Sequence, residues 1–396
     1  MPDGATVHDL REAIQAKLGV EYHDQQLSRD QGLLREASNG AGFKDMIDTR
    51  ATLSKLGLGN GDMVFLRYHA RDTAVEPVAR PTAPTVAMDI KKLSSRWERI
   101  EREKEGSAPP RVSFDQGAAG AFQGYIQQYL SFSSKRGGVM YGTFEEDGGV
   151  RVEAIYEPRQ EGGPLALDMK RGTGEEELAD SIAAMLGLSK VGVIFSQSTA
   201  EREHELSAEE VVLMARAQRE CGGQGVTAVV SLWEEDDGAR NVHFEAYCVS
   251  RQLERLVADG WVTGAPADSN VVTMRNPAAA DDATPLIVNG RDVGEAEVEW
   301  FLQTVPIVQH QGALRTAFPV ENRILNGTAG DLKKALAGPA SLSYQERMKD
   351  FHLLLWLAQQ GILSVDSDLP LLVHAVRAGQ PIMEGYKIMI DSLAEH

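Results

Sequence analysis

The chain has 396 residues, of which 42% are hydrophobic and 25% charged, so it is long enough for two or three domains with ordinary globular cores. A net charge of −18 disfavours binding to the phosphate backbone of nucleic acids, and no run of about 20 apolar residues suggests a membrane span. The presence of only Cys221 and Cys248 excludes a disulfide framework or a four-thiolate zinc site and predicts a reducing, intracellular compartment.

The first 70 residues predict a small domain with one helix and short strands. Thr6, with Asp9 three positions later, is a weak capping box for a helix over residues 5–19. The segments 24–28 and 63–66 predict strands, of which the second is apolar and follows a turn. One face of the helix is predicted to be apolar, with Leu10, Ile14 and Leu18.

The order of these elements resembles the ubiquitin fold. The first hairpin of that fold would have to precede the helix, where few residues are available, and no Gly-Gly follows the last strand. The resemblance implies a ubiquitin-like β-grasp domain over residues 1–70 that is truncated at its start and is not a conjugated modifier. Another small α/β domain is the alternative.

Residues 71–110 are predicted to form a linker and a helix. Three prolines between residues 72 and 87 are typical of a linker. Asp89 can cap a helix that continues to about residue 105 and packs on the protein itself or on a partner. Its apolar face would consist of Ile90, Leu93, Trp97 and Ile100.

Residues 111–250 predict a mixed domain, because helices and strands occur there without strict alternation, which favours the α+β class. Two hairpins are expected, each with an Asp-Gly pair in its turn. Ser207 and Glu210 form a capping box at the start of a helix. The other expected elements are helices at 118–132 and 174–187 and strands at 137–144, 150–158, 190–195, 226–230 and 241–247.

This order of elements resembles the MPN fold, whose active members cleave isopeptide bonds with a zinc ion held by His-x-His and a later Asp. Three protein ligands and an activated water are what such chemistry requires. At the matching positions this sequence has Phe195, Gln197 and Glu210, and Lys135 and Arg136 lie where the general-base Glu would be. The resemblance therefore implies a catalytically inactive MPN-like domain with no metal.

Two other kinds of chemistry receive little support from the sequence. Cys221, with His243 as its base, lacks the surroundings of a nucleophile and is more often structural. His243 lies in a predicted strand, where a packed or surface side chain is the commoner role. Neither phosphate-binding glycine pattern occurs, so no nucleotide and no other cofactor is expected.

Residues 251–396 are predicted to form a mainly helical C-terminal domain. Residues 264–296 are polar and read as an exposed insertion with one short strand at 286–288. The segment 343–360 is apolar nearly all round and predicts one buried core helix. Further helices are expected at 331–337 and 369–378.

Four segments together resemble the nuclear protein localization protein 4 family. They are IYEP at 155–158, KVGVIF at 190–195, FPVENR at 318–323 and DFHLLLWL at 350–357. The resemblance covers about residues 1–69 and 111–396. The sequence lacks the family's zinc-binding region and C-terminal zinc finger, a layout similar to that of plant members.

This resemblance implies a non-enzymatic adaptor. Family members pair with the ubiquitin-fusion-degradation protein 1 partner and recruit polyubiquitylated proteins to the AAA+ segregase valosin-containing protein. Substrates are extracted, also from the endoplasmic reticulum, for proteasomal degradation, which implies a cytoplasmic and nuclear protein peripheral to that membrane. The ubiquitin-like domain would dock the ATPase, and the MPN-like and C-terminal regions would bind ubiquitin, including an unfolded ubiquitin in a groove.

Two rival functions remain open. A metalloisopeptidase would need the metal ligands that Phe195 and Gln197 replace. A structural subunit of a lid-like complex would have no ubiquitin affinity. Binding and cleavage of ubiquitin chains distinguish the three.

Overall fold

The structure is a computed structural model of the chain. It divides into two compact units, Met1–Ala87 and Met88–His396. The residues that it describes are 4–30, 33, 46–59, 62–68, 98–100, 107–198, 202, 204–234, 240–275, 286–288, 291–339 and 341–395.

The first unit contains the predicted N-terminal helix. Helix α1 spans Val7–Leu18, and the capping box of Thr6 and Asp9 is present, as predicted. Strands β1 (Gln26–Ser28) and β2 (Phe65–Arg67) pair in antiparallel fashion. Leu10 and Ile14 pack on the small core, whereas Leu18 is 65% exposed, so the predicted apolar face ends one turn early.

The second unit combines helices and strands in the α+β manner that the sequence predicted. Its helices are α2 (Gln116–Tyr125), α3 (Gly174–Leu186), α4 (Ala208–Glu220), α5 (Arg251–Ala258), α6 (Ala329–Leu336), α7 (Tyr344–Arg347), α8 (Phe351–Gln359), α9 (Asp368–Ala378) and α10 (Glu384–Glu395). Its strands are β3 (Glu98–Ile100), β4 (Val112–Asp115), β5 (Gly137–Phe144), β6 (Val150–Tyr156), β7 (Gln160–Gly162), β8 (Leu167–Met169), β9 (Ser189–Ser196), β10 (Val226–Glu234), β11 (Arg240–Val249), β12 (Val262–Gly264), β13 (Val271–Met274), β14 (Leu286–Val288), β15 (Arg291–Val293), β16 (Glu295–Glu297), β17 (Leu302–Thr304) and β18 (Ile307–His310). Among the described residues, no helix is long and apolar enough to cross a membrane.

The largest sheet of this unit contains both parallel and antiparallel strand pairs. Within the described residues it has eight strands in the order β17-β11-β10-β9-β5-β6-β4-β18. Strands β5 and β6 form the first predicted hairpin, and β10 and β11 form the second. Parallel pairs join β9 to β10 and β4 to both β6 and β18, which brings together segments far apart in the sequence.

Both faces of the sheet are covered, because side chains alternate between the faces of a strand. Phe122 of α2 packs with Met140 of β5 on one face. Tyr141 of β5 packs with Ile182 of α3 and with Phe351 of α8 on the other. A third cluster joins the sheet to α4 and α5.

Two segments whose local pattern favoured a helix differ from the prediction. Helix α2 begins at Gln116, and the chain continues from Ile126 to Leu130 as a π-turn. Residues 98–100, predicted to be helical, form β3, because pairing with β14 outweighs the local periodicity. The remainder of that predicted helix and the linker lie outside the described residues.

The C-terminal part differs from its prediction in two further ways. The segment 343–360 forms two helices, α7 and α8, because Asp350 caps a new helix. The segment 264–296 is not an insertion with a single strand, since β13 pairs there with β12 and β16. Strands of three or four residues are too short to show alternation in a sequence.

Candidate functional site

Three of the residues that match the metalloprotease positions lie together. Lys135 lies two residues before β5, Phe195 is near the end of β9, and Glu210 lies in the first turn of α4. The Lys135 Nζ is 2.6 Å from Glu210 Oε1 and 5.9 Å from the centre of the Phe195 ring. All three line a cavity of about 300 Å³, which we call the Lys135 cavity.

Local backbone contacts fix the positions of these side chains. The N–H of Lys135 donates to the carbonyl oxygen of Gly163, just after β7. A Cβ at Gly162 would lie 1.9 Å from the carbonyl oxygen of Lys135, so glycine is needed for this close approach. On α4, the Ser207 N–H donates to Glu210 Oε2 at 2.6 Å, which confirms the predicted capping box.

The remaining positions fall elsewhere or are already engaged. Gln197 Nε2 donates to the carbonyl oxygen of Glu205 at 2.6 Å. Arg202 also donates to both carboxylate oxygens of Glu210, so that carboxylate is held by two cations. No group of three or more His, Cys, Asp or Glu side chains in the described part of the chain could hold a metal.

Cys221, the alternative nucleophile, is equally unsuited to catalysis. Burial raises the pKa of the Cys221 thiol to about 12, so little thiolate would form near neutral pH. His243, its proposed base, stacks on the Trp233 ring with centroids 5.1 Å apart.

Arg136, the neighbour of Lys135, belongs to a second cluster. Its Nε donates to Glu157 Oε2 at 2.6 Å, and Arg323 Nε donates to Glu157 Oε1 at 3.0 Å. Glu157 is fully buried, and both guanidinium groups lie near the Tyr125 ring, at 5.5 and 4.5 Å from its centre. We call these four residues the Glu157 clamp. It joins the IYEP segment to the FPVENR segment.

Neighbouring contacts strengthen this connection. Asn322 has a φ of 57°, a left-handed conformation that asparagine tolerates. Its Nδ2 donates to the Glu157 carbonyl oxygen at 3.0 Å and to Glu175 Oε1 at 2.9 Å. The N–H of Glu157 donates to Glu321 Oε1 at 2.9 Å. The loop that carries FPVENR is therefore fastened to the end of β6.

The DFHLLLWL segment joins the same network through α8. Asp350 accepts the N–H groups of Ala317 and Phe318, and His352 Nδ1 lies 2.8 Å from Glu321 Oε2. Burial would lower the pKa of His352, but the Glu321 carboxylate outweighs it and raises the pKa above its ordinary value. His352 therefore keeps its proton to a higher pH than an exposed histidine does.

A larger cavity, of about 550 Å³, lies beside the clamp, and we call it the Trp356 cavity. Its lining is mixed, with aliphatic, indole, amide and carboxylate groups, which include Glu175, Leu178, Asn326, Leu355, Trp356 and Gln359. Ile324 and Leu325, which lead from the clamp to this cavity, are 69% and 65% exposed. Such a surface can contact both the backbone and the apolar side chains of a polypeptide.

Comparisons with known proteins match the chain to one family. Residues 136–285 match the model of the NPL4 family. NPL4-like protein 2 of Arabidopsis thaliana is 37% identical over 98% of this chain and 94% of its own length. The NPL4-like protein of Oryza sativa subsp. japonica is 34% identical over 99% and 95%.

More distant relatives match less of their length. The nuclear protein localization protein 4 homolog of Dictyostelium discoideum is 29% identical over 70% of this chain and 46% of its own. A solution structure of a Desulfitobacterium hafniense protein aligns with 10% identity and a TM-score of 0.28 over 51% of this chain and 94% of its own, too low to bear on the fold. The two plant relatives match nearly the whole chain, and this chain belongs to the NPL4 family.

Proposed function

We propose that the protein is a non-enzymatic adaptor that binds ubiquitin and polyubiquitylated proteins. It would act with the ubiquitin-fusion-degradation protein 1 partner and hand its substrates to the AAA+ segregase valosin-containing protein. Extraction, also from the surface of the endoplasmic reticulum, and proteasomal degradation would follow. Membership of the NPL4 family supports this proposal, and the mixed apolar and polar lining of the Trp356 cavity is suited to it.

The Trp356 cavity carries the proposal, because two of the segments that define the resemblance, FPVENR and DFHLLLWL, contribute to its lining. We propose that it receives an extended segment of ubiquitin. The amides of Asn326 and Gln359 can pair with a peptide backbone, and Leu355 and Trp356 can contact its apolar side chains.

The inactive MPN-like domain and the ubiquitin-like domain are part of the same proposal. Phe195 cannot bind a metal, and Glu210 is already paired with Lys135 and Arg202. The residues at the zinc positions thus stabilise the fold instead of supporting hydrolysis. We further propose that the first unit, with α1 and its short sheet, is the part that docks the ATPase.

The test is a titration of the chain, with its degradation partner, against ubiquitin chains, while release of free ubiquitin is followed with and without a chelator. The variant Ile324→Ser/Leu325→Ser removes two exposed apolar side chains beside the Trp356 cavity and should weaken binding roughly tenfold. Leu371→Ser, which also changes an exposed leucine (57%), is the matched control.

The outcomes separate the candidate functions. Binding without release that the double variant weakens and the control retains supports the adaptor. Chelator-sensitive release of ubiquitin would favour a metalloisopeptidase. Absence of binding would favour the structural subunit of a lid-like complex.

A further inference from the structure

The Lys135 cavity has the composition of a ligand site, and the adaptor function does not use it. Its volume of about 300 Å³ is at the lower end of the range of small-ligand pockets. Leu167, Phe195 and Leu213 supply apolar walls, while Lys135 and Arg216 supply positive charge. An apolar pocket with a few convergent charged groups favours a ligand that carries both an aliphatic and an ionic group.

The Lys135 ammonium can accommodate more than its present partner. Its side chain is only 2% exposed, and an ammonium has three N–H donors. Among the described residues, Glu210 Oε1 is its one hydrogen-bond acceptor. Buried donors are normally paired. A ligand with hydrogen-bond acceptors that entered the cavity would therefore pair with the two remaining N–H groups of Lys135.

Two charged side chains of opposite sign, Glu209 and Arg216, line the α4 side of the cavity. Glu209, Leu213 and Arg216 lie on one face of the helix, at spacings of four and three. Arg216 is exposed, and within the described part of the chain neither it nor Glu209 has an ion pair. They are about 10 Å apart along the helix axis, since the rise is about 1.5 Å per residue. The Glu210 charge is already balanced by Lys135 and Arg202.

We propose that the Lys135 cavity binds the C-terminal carboxylate of a peptide whose last side chain is aliphatic. The carboxylate would accept hydrogen bonds from Lys135 and from the planar guanidinium of Arg216. The side chain would lie against Leu167 and Leu213, and the peptide N–H would face Glu209. Such a ligand matches the positive, apolar and negative groups that line the cavity.

The experiment uses N-acetyl-leucine as the probe and N-acetyl-leucinamide as the uncharged probe of similar size, both with the full chain. Ligand-observed NMR should give a Kd of about 1 mM for the acid. The amide should bind roughly tenfold more weakly, because it lacks the charge that Lys135 and Arg216 attract.

Two variants test whether the acid binds in the Lys135 cavity. Arg216→Ala should weaken binding of the acid roughly tenfold and leave the weak binding of the amide unchanged. Arg219→Ala is the matched control, because Arg219 is an exposed arginine of the same helix that does not line the cavity. Equal binding of acid and amide, no binding of the acid at about 10 mM, or equal effects of the two variants would overturn the proposal.

Discussion

A buried lysine and a buried glutamate hold the start of β5 against α4. Lys135 and Glu210 are 3% and 4% exposed, and their charges lie 2.6 Å apart. Removal of both charges from such a pair is often nearly neutral, whereas removal of one leaves a buried charge without its partner. The pair therefore constrains which substitutions are tolerated where β5 meets α4.

Lys135→Met should lower the free energy of unfolding by about 2 kcal/mol, because Glu210 would lose its nearest cation and keep only Arg202. Lys135→Met/Glu210→Gln should recover part of this loss, since glutamine can also serve in a capping box. Urea denaturation measures both changes. The control Lys334→Met removes an 81% exposed partner of Asp331 and should cost less than about 1 kcal/mol. Equal losses for the two single variants would contradict the assignment.

His352 should make stability depend on pH. The carboxylates of Glu321 and Asp350 raise the pKa of His352 against burial and the charge of Arg323. A raised pKa in the folded state means that the stabilisation is fully present below the ordinary value of 6.5 and is lost as the pH rises through the folded value. The stability advantage of the wild type over His352→Gln should therefore shrink as the pH rises above 6.5. Urea denaturation at a series of pH values tests this, and a constant difference would contradict it.

At the scale of elements, Asp350 explains why the segment 343–360, predicted to be one helix, forms the two helices α7 and α8. Its carboxylate accepts the N–H groups of His352 and Leu353 and so caps α8. It also accepts the N–H groups of Ala317 and Phe318, which begin the FPVENR loop. A side chain that is 3% exposed thus stabilises two elements at once.

Asp350→Ala should lower the free energy of unfolding by about 3 kcal/mol or more, because buried N–H groups would lose their acceptor. Thr328→Ala removes the exposed cap of α6, whose Oγ1 accepts from the Asp331 N–H, and should cost about 1 kcal/mol. The two losses are compared by urea denaturation. If Asp350→Ala cost no more than Thr328→Ala, the double role of Asp350 would be wrong.

Local signals made several elements predictable. The capping boxes at Thr6 and Ser207 and the alternation in the two hairpins each depend on residues close in sequence. The FPVENR and DFHLLLWL segments indicated the family, but their contacts could not be read from spacing. Arg323, for example, reaches Glu157 across 166 residues. The parallel pairing of β4 with β18 is non-local in the same way, and β12, β13 and β16 are too short to show a period.

At the scale of the molecule, the two units have separate cores. The core of the first unit contains the buried side chains of Val7, Leu27 and Met46. The second unit has three clusters on its sheet, and both cavities lie within it. A domain with its own hydrophobic core can generally fold alone. We therefore expect the proposed ubiquitin binding and the proposed ATPase docking to be separable.

A fragment of residues 88–396 should fold and bind ubiquitin chains as tightly as the full chain, because it retains the Trp356 cavity and its apolar neighbours. Circular dichroism tests folding, and the same chain titration, without the ATPase, tests binding. Ile324→Ser/Leu325→Ser in the fragment should weaken binding by the same factor as in the full chain, and Leu371→Ser should not. A folded fragment that had lost binding would show that ubiquitin recognition needs the first unit, and the Trp356 cavity could then not be the principal site.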